Sequence, residues 1–218
     1  MGMTPHTKPR TARRRPEERP DEILSAALDI FTEKGFAAAR VEDIATCAGL
    51  SKGAVYLYFD SKESMLKALV EQSAGQIANA ASTLSLMGAD HDPEKAWRAI
   101  LKMALTALSD PDISAAPRLV MAEASQFPEL AEFYRRRVID VGRMAIGHLI
   151  RTGASNGQFR DVTPEAAVLA FMGPAIAHMM LSTVFHLPGD PELDPEDLAD
   201  AIADIVLNGL KPRGKSDA

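Results

Sequence analysis

The sequence predicts an all-α protein that has a small N-terminal domain and a larger C-terminal helical domain. Apolar residues recur at helical spacing in almost every segment of the 218-residue chain. A proline followed by an acidic residue opens most of these segments, which suits a first helical turn because its amides are unpaired. No segment alternates apolar and polar residues over several positions. We therefore expect no β-sheet.

The composition is that of a soluble globular protein. Hydrophobic residues make up 46% of the chain and charged residues 25%, and the length suits one large or two modest domains. The single cysteine, Cys47, cannot form an intramolecular disulfide, which favours a reducing compartment. The first residues lack the apolar segment of a secretory signal. We therefore expect a cytoplasmic protein. We also expect the Cys47 side chain to be buried in the second helix.

Residues 1–19 are predicted to form a basic arm, and residues 20–70 a compact domain. Its first helix begins at Pro20 and ends at Gly35, because glycine tolerates the left-handed conformation that closes a helix. A short helix follows over about 42–48, and a tight break separates it from a third helix over about 52–59. Ser61 is suited to cap a long fourth helix.

The C-terminal domain is predicted over residues 71–210, with a tail at 211–218. Its later helices begin at Pro93, Pro111, Pro128, Pro164 and Pro195. Between residues 166 and 187 there is no charged residue, and 22 residues are enough to cross a bilayer. The stretch contains proline and histidine, however, and its flanks are acidic. We therefore expect a buried helix of a soluble protein and no membrane partner.

The uncharged helix is apolar all round. One side carries Val168, Phe171, Met172, Ala175 and Met179, and the other carries Leu169, Gly173, Ile176, Met180 and Val184. A helix without a polar side must be buried on every side. The sequence therefore predicts that one side packs within the subunit and the other against a second copy. The last helix would complete a four-helix bundle in a homodimer.

The charges are unevenly distributed. The whole chain carries −6, but the first 70 residues hold 11 basic and 10 acidic residues, which leaves −7 for the rest. The first twenty residues alone carry +4. Such asymmetry indicates an end that faces nucleic acid or a membrane, although a solvated tail has the same composition. Residues 10–19 are suited either to binding in the minor groove of DNA or to a tail that attracts DNA non-specifically.

Two short helices joined at Gly49 have the helix-turn-helix arrangement. A small residue at the turn lets the helices pack at a steep angle. The outer side of the second helix is then free to enter a major groove about 12 Å wide. This pattern alone occurs in many helical proteins that do not bind DNA.

The order of residues in this region is more specific. It reads GF at 35–36, VEDIA at 41–45, AGLSKG at 48–53, VYLYF at 55–59 and SKESML at 61–66. These residues resemble the DNA-binding domain of the tetracycline-repressor (TetR) family over about residues 20–70. RLVMAE at 118–123 and FPEL at 127–130 resemble, more loosely, the efflux-regulating AcrR-type members. The resemblance implies an all-α homodimer with a helix-turn-helix domain and a divergent domain for ligand binding and dimerisation.

The resemblance also implies a function and a DNA-binding surface. We expect a dimeric, sequence-specific transcriptional repressor that binds a double-stranded DNA operator and is released by a small, apolar inducer. Ser51 to Ala54 would begin the recognition helix and meet base edges. The candidate DNA contacts are Arg40, Ser51, Lys52, Gly53, Ala54, Tyr56, Tyr58 and Lys62.

Some of these residues have alternative roles. Tyr56 and Lys62 are suited to phosphate oxygens, but Tyr56 could pack in the domain core and Lys62 could be solvated. Arg40 stands where the family usually has a hydroxyl residue, so it removes a helix cap and offers a phosphate contact. The apolar residues of the recognition segment, Val55, Leu57 and Phe59, are expected in the core.

Methionine and aromatic residues of the C-terminal domain suit an adaptable apolar cavity, although such residues also form ordinary cores. Four polar residues could anchor a ligand in this cavity, namely Arg118, Gln126, His148 and His178. The candidate ligand contacts are Trp97, Met103, Arg118, Met121, Gln126, Phe127, Met144, His148, Phe171, Met172, His178 and Met179.

Two other classes of protein compete with a regulator. An enzyme is disfavoured because the sequence lacks a G-x-S-x-G elbow, a phosphate-binding glycine loop and an H-E-x-x-H motif. We expect no catalytic residue, no metal site and no cofactor. A helical interaction protein that does not bind DNA stays open, because Ala54 and Arg40 depart from the family pattern.

Overall fold

The computed structural model describes residues 19–191 and 193–211, and these residues form helices joined by short turns. No strand occurs within this part of the chain, so the predicted all-α class is confirmed. The helices are α1 Arg19–Lys34, α2 Val41–Cys47, α3 Lys52–Tyr56, α4 Lys62–Val70, α5 Gln76–Gly88, α6 Pro93–Ser109, α7 Pro111–Glu123, α8 Pro128–Tyr134, α9 Asp140–Ser155, α10 Pro164–Met179 and α11 Pro195–Leu210.

Local sequence signals set the helix-turn-helix. Gly35 and Gly49 have φ angles of 78° and 67°, which glycine adopts at little cost, and they end α1 and separate α2 from α3. The Ser51 hydroxyl accepts a hydrogen bond from the Ala54 amide at 3.2 Å and so caps α3. Arg40 makes no side-chain cap on α2, as expected. The recognition helix α3 is shorter than predicted and ends at Tyr56.

A reciprocal cap begins α4. The Ser61 hydroxyl accepts from the Ser64 amide, and the Ser64 hydroxyl accepts from the Ser61 amide, both at 3.2 Å. This capping box satisfies two amides that the first turn leaves unpaired. The predicted capping role of Ser61 is thereby confirmed.

Two longer helical stretches each contain a π-helical segment. Residues 71–75 join α4 to α5, and residues 135–139 join α8 to α9. The two segments pack against each other, and Arg137 Nε donates a hydrogen bond to Glu71 Oε1 at 2.5 Å. A third π-helical segment, residues 180–184, extends α10. The first two segments lie at the junction between the N-terminal helices and the C-terminal helices.

The buried residues form two clusters. The first, which we call the N-terminal core, includes Phe31, Phe36, Ile44 and Leu66 together with residues of α7 and α8 such as Val120. The second consists of residues from α5, α6, α9, α10 and α11. Helices α7 and α8 follow residue 70 in the chain, yet they complete the N-terminal core. The part of the chain that carries α3 is thus packed directly on the C-terminal part.

Helix α10 is buried on one side only within this chain. Phe171, Ala175 and Met179 are buried, whereas Leu169 on the opposite side is 70% exposed. The helical stretch 164–184 is the one part of the described chain that is long and apolar enough to cross a membrane. Core helices of soluble proteins have the same length and composition, so this observation is weak evidence for a membrane span. Packing of the exposed side against a second copy stays a prediction.

Two expectations about buried residues were wrong. Cys47 is exposed, because α2 is short and buries only Ile44 and Ala45. Leu57 is 82% exposed, because α3 ends one residue before it. Of the three apolar residues in the recognition segment, only Val55 is fully buried. Phe59 is half-buried and packs against the N-terminal core.

Candidate nucleic-acid interface and ligand cavity

An exposed surface surrounds the N-terminus of α3. We call it the recognition surface and define it by Arg40, Glu42, Ser51, Lys52, Gly53, Tyr56, Leu57 and Tyr58, all of which are exposed. It contains six of the eight DNA contacts predicted from the sequence, and a seventh, Ala54, is half-buried beside them. The N-terminal residues of a recognition helix are those that approach base edges. Most of the predicted contacts therefore share one exposed surface, and their contact with DNA stays a prediction.

An ion pair connects the two helices of the motif across this surface. Lys52 Nζ lies 2.5 Å from Glu42 Oε1 and 5.7 Å from the centre of the Tyr56 ring. The hydrogen bond from Lys52 lowers the pKa of Glu42, and the same bond raises the pKa of Lys52. An acidic residue therefore holds the cation at the start of α3. Sequence reasoning missed Glu42, although its place in the first turn of α2 is a detectable signal.

Lys62 is half-buried and is bonded to the backbone. Its ammonium donates hydrogen bonds to the carbonyl oxygens of Phe36, Ala37 and Ala39 at 2.7, 2.9 and 3.3 Å. It also lies 4.7 Å from the centre of the Phe36 ring. These contacts tie the start of α4 to the segment between α1 and α2. The predicted phosphate contact by Lys62 stays a prediction, and it must compete with these three carbonyl groups.

The two roles of Lys62 can be separated by replacing it with methionine. We expect Lys62→Met to lower the free energy of unfolding by about 1–3 kcal/mol, because three carbonyl oxygens lose a charged donor. Urea unfolding followed by circular dichroism measures this change.

Lys67→Met is the matched control. Lys67 lies on the same helix and faces the Phe133 ring at 5.7 Å, with no hydrogen bond to a carbonyl group among the described residues. Its replacement should cost less than half as much stability. A Lys62→Met protein of unchanged stability but lower DNA affinity would instead establish the phosphate contact.

A cavity of about 290 Å³ lies between the C-terminal helices and α7 and α8. Its wall combines residues of α5, α6, α7, α8, α9 and α10 with the first two π-helical segments. All but one of its side chains are apolar, and many are alanines. Four candidate ligand contacts belong to this wall, namely Met121, Phe171, Met172 and Met179.

The other candidate ligand contacts lie outside this wall. Arg118 lines a separate polar cleft between α1 and α7, and Phe127 packs edge-on against Phe36 in the N-terminal core. The Trp97 ring packs edge-on against Phe171 with their centres 5.2 Å apart, and its Nε1 has no hydrogen-bond partner. The remaining ones are Met103, Gln126, Met144, His148 and His178.

His178 has a defined partner beside the cavity. The Ser109 hydroxyl donates to the Leu105 carbonyl at 2.7 Å, and the His178 Nε2 atom lies 2.8 Å from the same hydroxyl oxygen. If the hydroxyl proton is directed at the Leu105 carbonyl, the His178 Nε2–H is the donor to the Ser109 oxygen. Partial burial lowers the pKa of His178, so the ring is neutral at neutral pH.

Three residues belong to both the cavity wall and the N-terminal core. Val120 is buried in that core, and Tyr134 and Val138 pack against it, while all three line the cavity. Sequence reasoning did not identify Tyr134 or Val138 as site residues. Any molecule that fills the cavity therefore touches side chains that also support the helices around α3. Among residues 19–191 and 193–211, no group of His, Cys, Asp or Glu side chains could hold a metal ion.

The exposed recognition helix and the separate apolar cavity define a helix-turn-helix protein with a cavity-bearing helical domain. A family model described as bacterial regulatory proteins of the tetR family matches residues 23–69. A second model, described as the tetracyclin repressor-like C-terminal domain, matches residues 90–206. The chain therefore belongs to the TetR family of helix-turn-helix transcriptional regulators.

The chain is similar to proteins that are named as helix-turn-helix or TetR-family regulators. The helix-turn-helix transcriptional regulator YfiR of Bacillus subtilis is 27% identical over 170 residues, which cover 75% of this chain and 78% of YfiR. The regulator EthR of Mycobacterium tuberculosis is 37% identical over 89 residues, which cover 41% of each chain. The solved structure of the TetR-family regulator PfmR of Thermus thermophilus matches with a TM-score of 0.68 and 25% identity, covering 87% of this chain and 99% of PfmR.

A further solved structure contains a ligand. It is FadR of Bacillus subtilis in complex with stearoyl-CoA, which matches with a TM-score of 0.65 and 19% identity. The match covers 87% of this chain and 98% of FadR. At this identity the likeness concerns the fold alone.

Proposed function

We propose that this protein is a dimeric, sequence-specific transcriptional repressor that leaves its DNA operator when a small apolar molecule enters the cavity. The observation that carries the proposal is the sharing of Val120, Tyr134 and Val138 between the cavity wall and the N-terminal core. The side chains that would contact the ligand thus also pack in the core that supports the recognition helix. A cytoplasmic location follows from this role, because the operator lies in the bacterial chromosome.

Binding to DNA uses the recognition surface. Lys52, Tyr56 and Tyr58 offer donors for phosphate oxygens, and the exposed N-terminus of α3 is free to approach base edges. A two-fold dimer would place its two recognition helices on half-sites about 34–36 Å apart, or a multiple of that spacing. Such binding depends strongly on salt, since basic residues displace ions from the phosphates.

The dimer uses the exposed side of α10. Leu169 on this helix is exposed, as are Leu181 and Val184 in the π-helical segment that extends it, and Ile205 on α11 is 76% exposed. Large apolar patches on a soluble protein mark interaction sites. The same side is the one that the sequence predicts to face a second copy, and α11 lies beside it.

The ligand acts through packing. The cavity is near the small end of the usual range for ligand pockets, which is about 300–1,000 Å³. A molecule that fills it presses on Val120, Tyr134 and Val138 and so moves α7 and α8 relative to α1 and α4. A coupling of about 1–3 kcal/mol is typical of such regulation. The stearoyl-CoA complex of the structural neighbour FadR supports an aliphatic ligand for this fold.

The proposal is tested with the full-length protein and labelled DNA from upstream of its own gene. Fluorescence anisotropy should detect binding that tolerates an excess of unrelated DNA and weakens as salt is raised. Aliphatic compounds should then lower the affinity. Binding that unrelated DNA of equal length removes equally well would contradict sequence-specific recognition.

A further inference from the structure

Tyr134 is the polar exception in the cavity wall. The other side chains that line the cavity end in carbon or sulfur, and Gly142 has none. Within the described residues the Tyr134 hydroxyl makes no hydrogen bond, and burial raises the pKa of this side chain to about 12. The hydroxyl is therefore a proton donor at neutral pH, and its donor capacity is unused in the protein.

The wall also determines which charges the cavity accepts. No Lys, Arg or His side chain belongs to the wall, as far as the chain is described. A carboxylate or phosphate placed among these residues would lose its hydration without gaining a cation, which is costly. A fully apolar molecule would avoid that cost but would leave the Tyr134 hydroxyl without a partner. Covering a donor without giving it a partner is unfavourable.

We propose that the cavity binds an uncharged, mainly aliphatic molecule whose single ester, amide or ketone oxygen accepts a hydrogen bond from Tyr134. This inference rests on the proposed role of the cavity as the effector site and adds the chemical class of the effector. Such an oxygen is the minimal group that satisfies the free donor and adds no charge. The aliphatic remainder matches the alanine, isoleucine and methionine side chains of the rest of the wall.

The position of Tyr134 also connects ligand binding to DNA release. Tyr134 is the last residue of α8, immediately before the π-helical segment 135–139, and it packs against the N-terminal core. A ligand that bonds to its hydroxyl therefore holds a residue that contacts both parts of the protein. The hydrogen bond should contribute to release as well as to affinity.

The chain contains a built-in reporter of cavity occupancy. Trp97 is its only tryptophan, and its ring packs against Phe171, which lines the cavity. We would titrate the full-length protein with methyl decanoate, decanoate, decanoyl-CoA and undecane and follow the tryptophan fluorescence. Tyr134→Phe removes only the hydroxyl group. Thr83→Val, which removes an exposed hydroxyl group of α5 outside the cavity wall, is the control.

Methyl decanoate should bind the wild-type protein about fivefold more tightly than Tyr134→Phe, as expected for one hydrogen bond of about 1 kcal/mol. Undecane should bind both proteins equally, and decanoate should bind at least about tenfold more weakly than the ester. Thr83→Val should match the wild type for each probe. Tyr134→Phe should unfold at about the same temperature as the wild type, because the hydroxyl makes no hydrogen bond to another described residue.

Each other result overturns a distinct statement. Equal affinity of the ester for wild type and Tyr134→Phe would overturn the hydrogen bond, while ester-induced DNA release would leave the effector site standing. Tighter binding of decanoate or decanoyl-CoA than of the ester would overturn the uncharged class. If no probe changed either the fluorescence or the DNA affinity, both the ligand class and the proposed effector site would be wrong.

Discussion

Replacing Leu169 with lysine is expected to turn the protein into a monomer and to abolish high-affinity DNA binding. Leu169 lies on the exposed side of α10, away from the cavity. In a two-fold dimer the substitution enters the interface twice, so two uncompensated ammonium groups would be buried among apolar side chains. Burying an unpaired charge costs several kcal/mol, and a factor of ten in affinity corresponds to about 1.4 kcal/mol.

We therefore expect the dissociation constant of the dimer to rise by about 100-fold or more. Light scattering coupled to size-exclusion chromatography measures the mass in solution. DNA affinity should fall with it, because a monomer presents one recognition helix and loses the gain from simultaneous binding at two half-sites.

Leu86→Lys is the control for a general effect of a surface lysine. Leu86 is 67% exposed, similar to Leu169, but it lies on α5. This variant should remain dimeric and should bind DNA as the wild type does. A Leu169→Lys protein that stays dimeric would place the interface elsewhere and would leave the exposed side of α10 unexplained.

The elements that the sequence predicted well are those set by local chemistry. Helices α6, α7, α8, α10 and α11 each begin at the predicted proline, because proline in the first turn loses no hydrogen bond there. The capping role of Ser61 is likewise local and was predicted, whereas the cap that Ser51 forms on α3 was found only in the structure.

The π-helical segments and the packing of α7 and α8 could not be predicted. A π-helical segment shifts the hydrogen-bond register without any characteristic residue type, as the segments EQSAG and RRRVI illustrate. The N-terminal core also includes Ala116, Val120 and Leu130, which are distant in sequence from α1 to α4. Their apolar spacing predicts a buried side but does not identify the partner helices.

The cavity was predicted only in part for a related reason. The methionine and aromatic residues of the sequence predicted Phe171, Met172 and Met179, and these residues do line the cavity. The space itself arises where small residues of different helices meet, such as Ala74, Ala104, Ala131 and Gly142. Nothing in the sequence shows that these small residues face one another. Met144, by contrast, has the expected chemistry but is exposed on α9.

Replacing Glu42 with glutamine is expected to strengthen binding to any DNA duplex. In the free protein the Glu42 carboxylate holds the Lys52 ammonium at 2.5 Å, so a phosphate must compete with it. Removing the negative charge frees Lys52 and also removes a repulsive charge from the recognition surface. For unrelated DNA we expect a three- to tenfold gain at low salt and a salt dependence steeper by about one to two ions per dimer.

The coupling between Glu42 and Lys52 can be measured by a double-mutant cycle. Lys52→Met should weaken binding to unrelated DNA more in the Glu42→Gln background than in the wild type, because only the freed lysine contributes its full charge. Glu33→Gln, an exposed change on α1 outside the recognition surface, corrects for the loss of one negative charge. Additive effects of the two substitutions would show that the pair does not restrain Lys52. A gain confined to unrelated DNA, with a loss on the upstream fragment, would instead indicate that Glu42 accepts a hydrogen bond from a cytosine amino group in the operator.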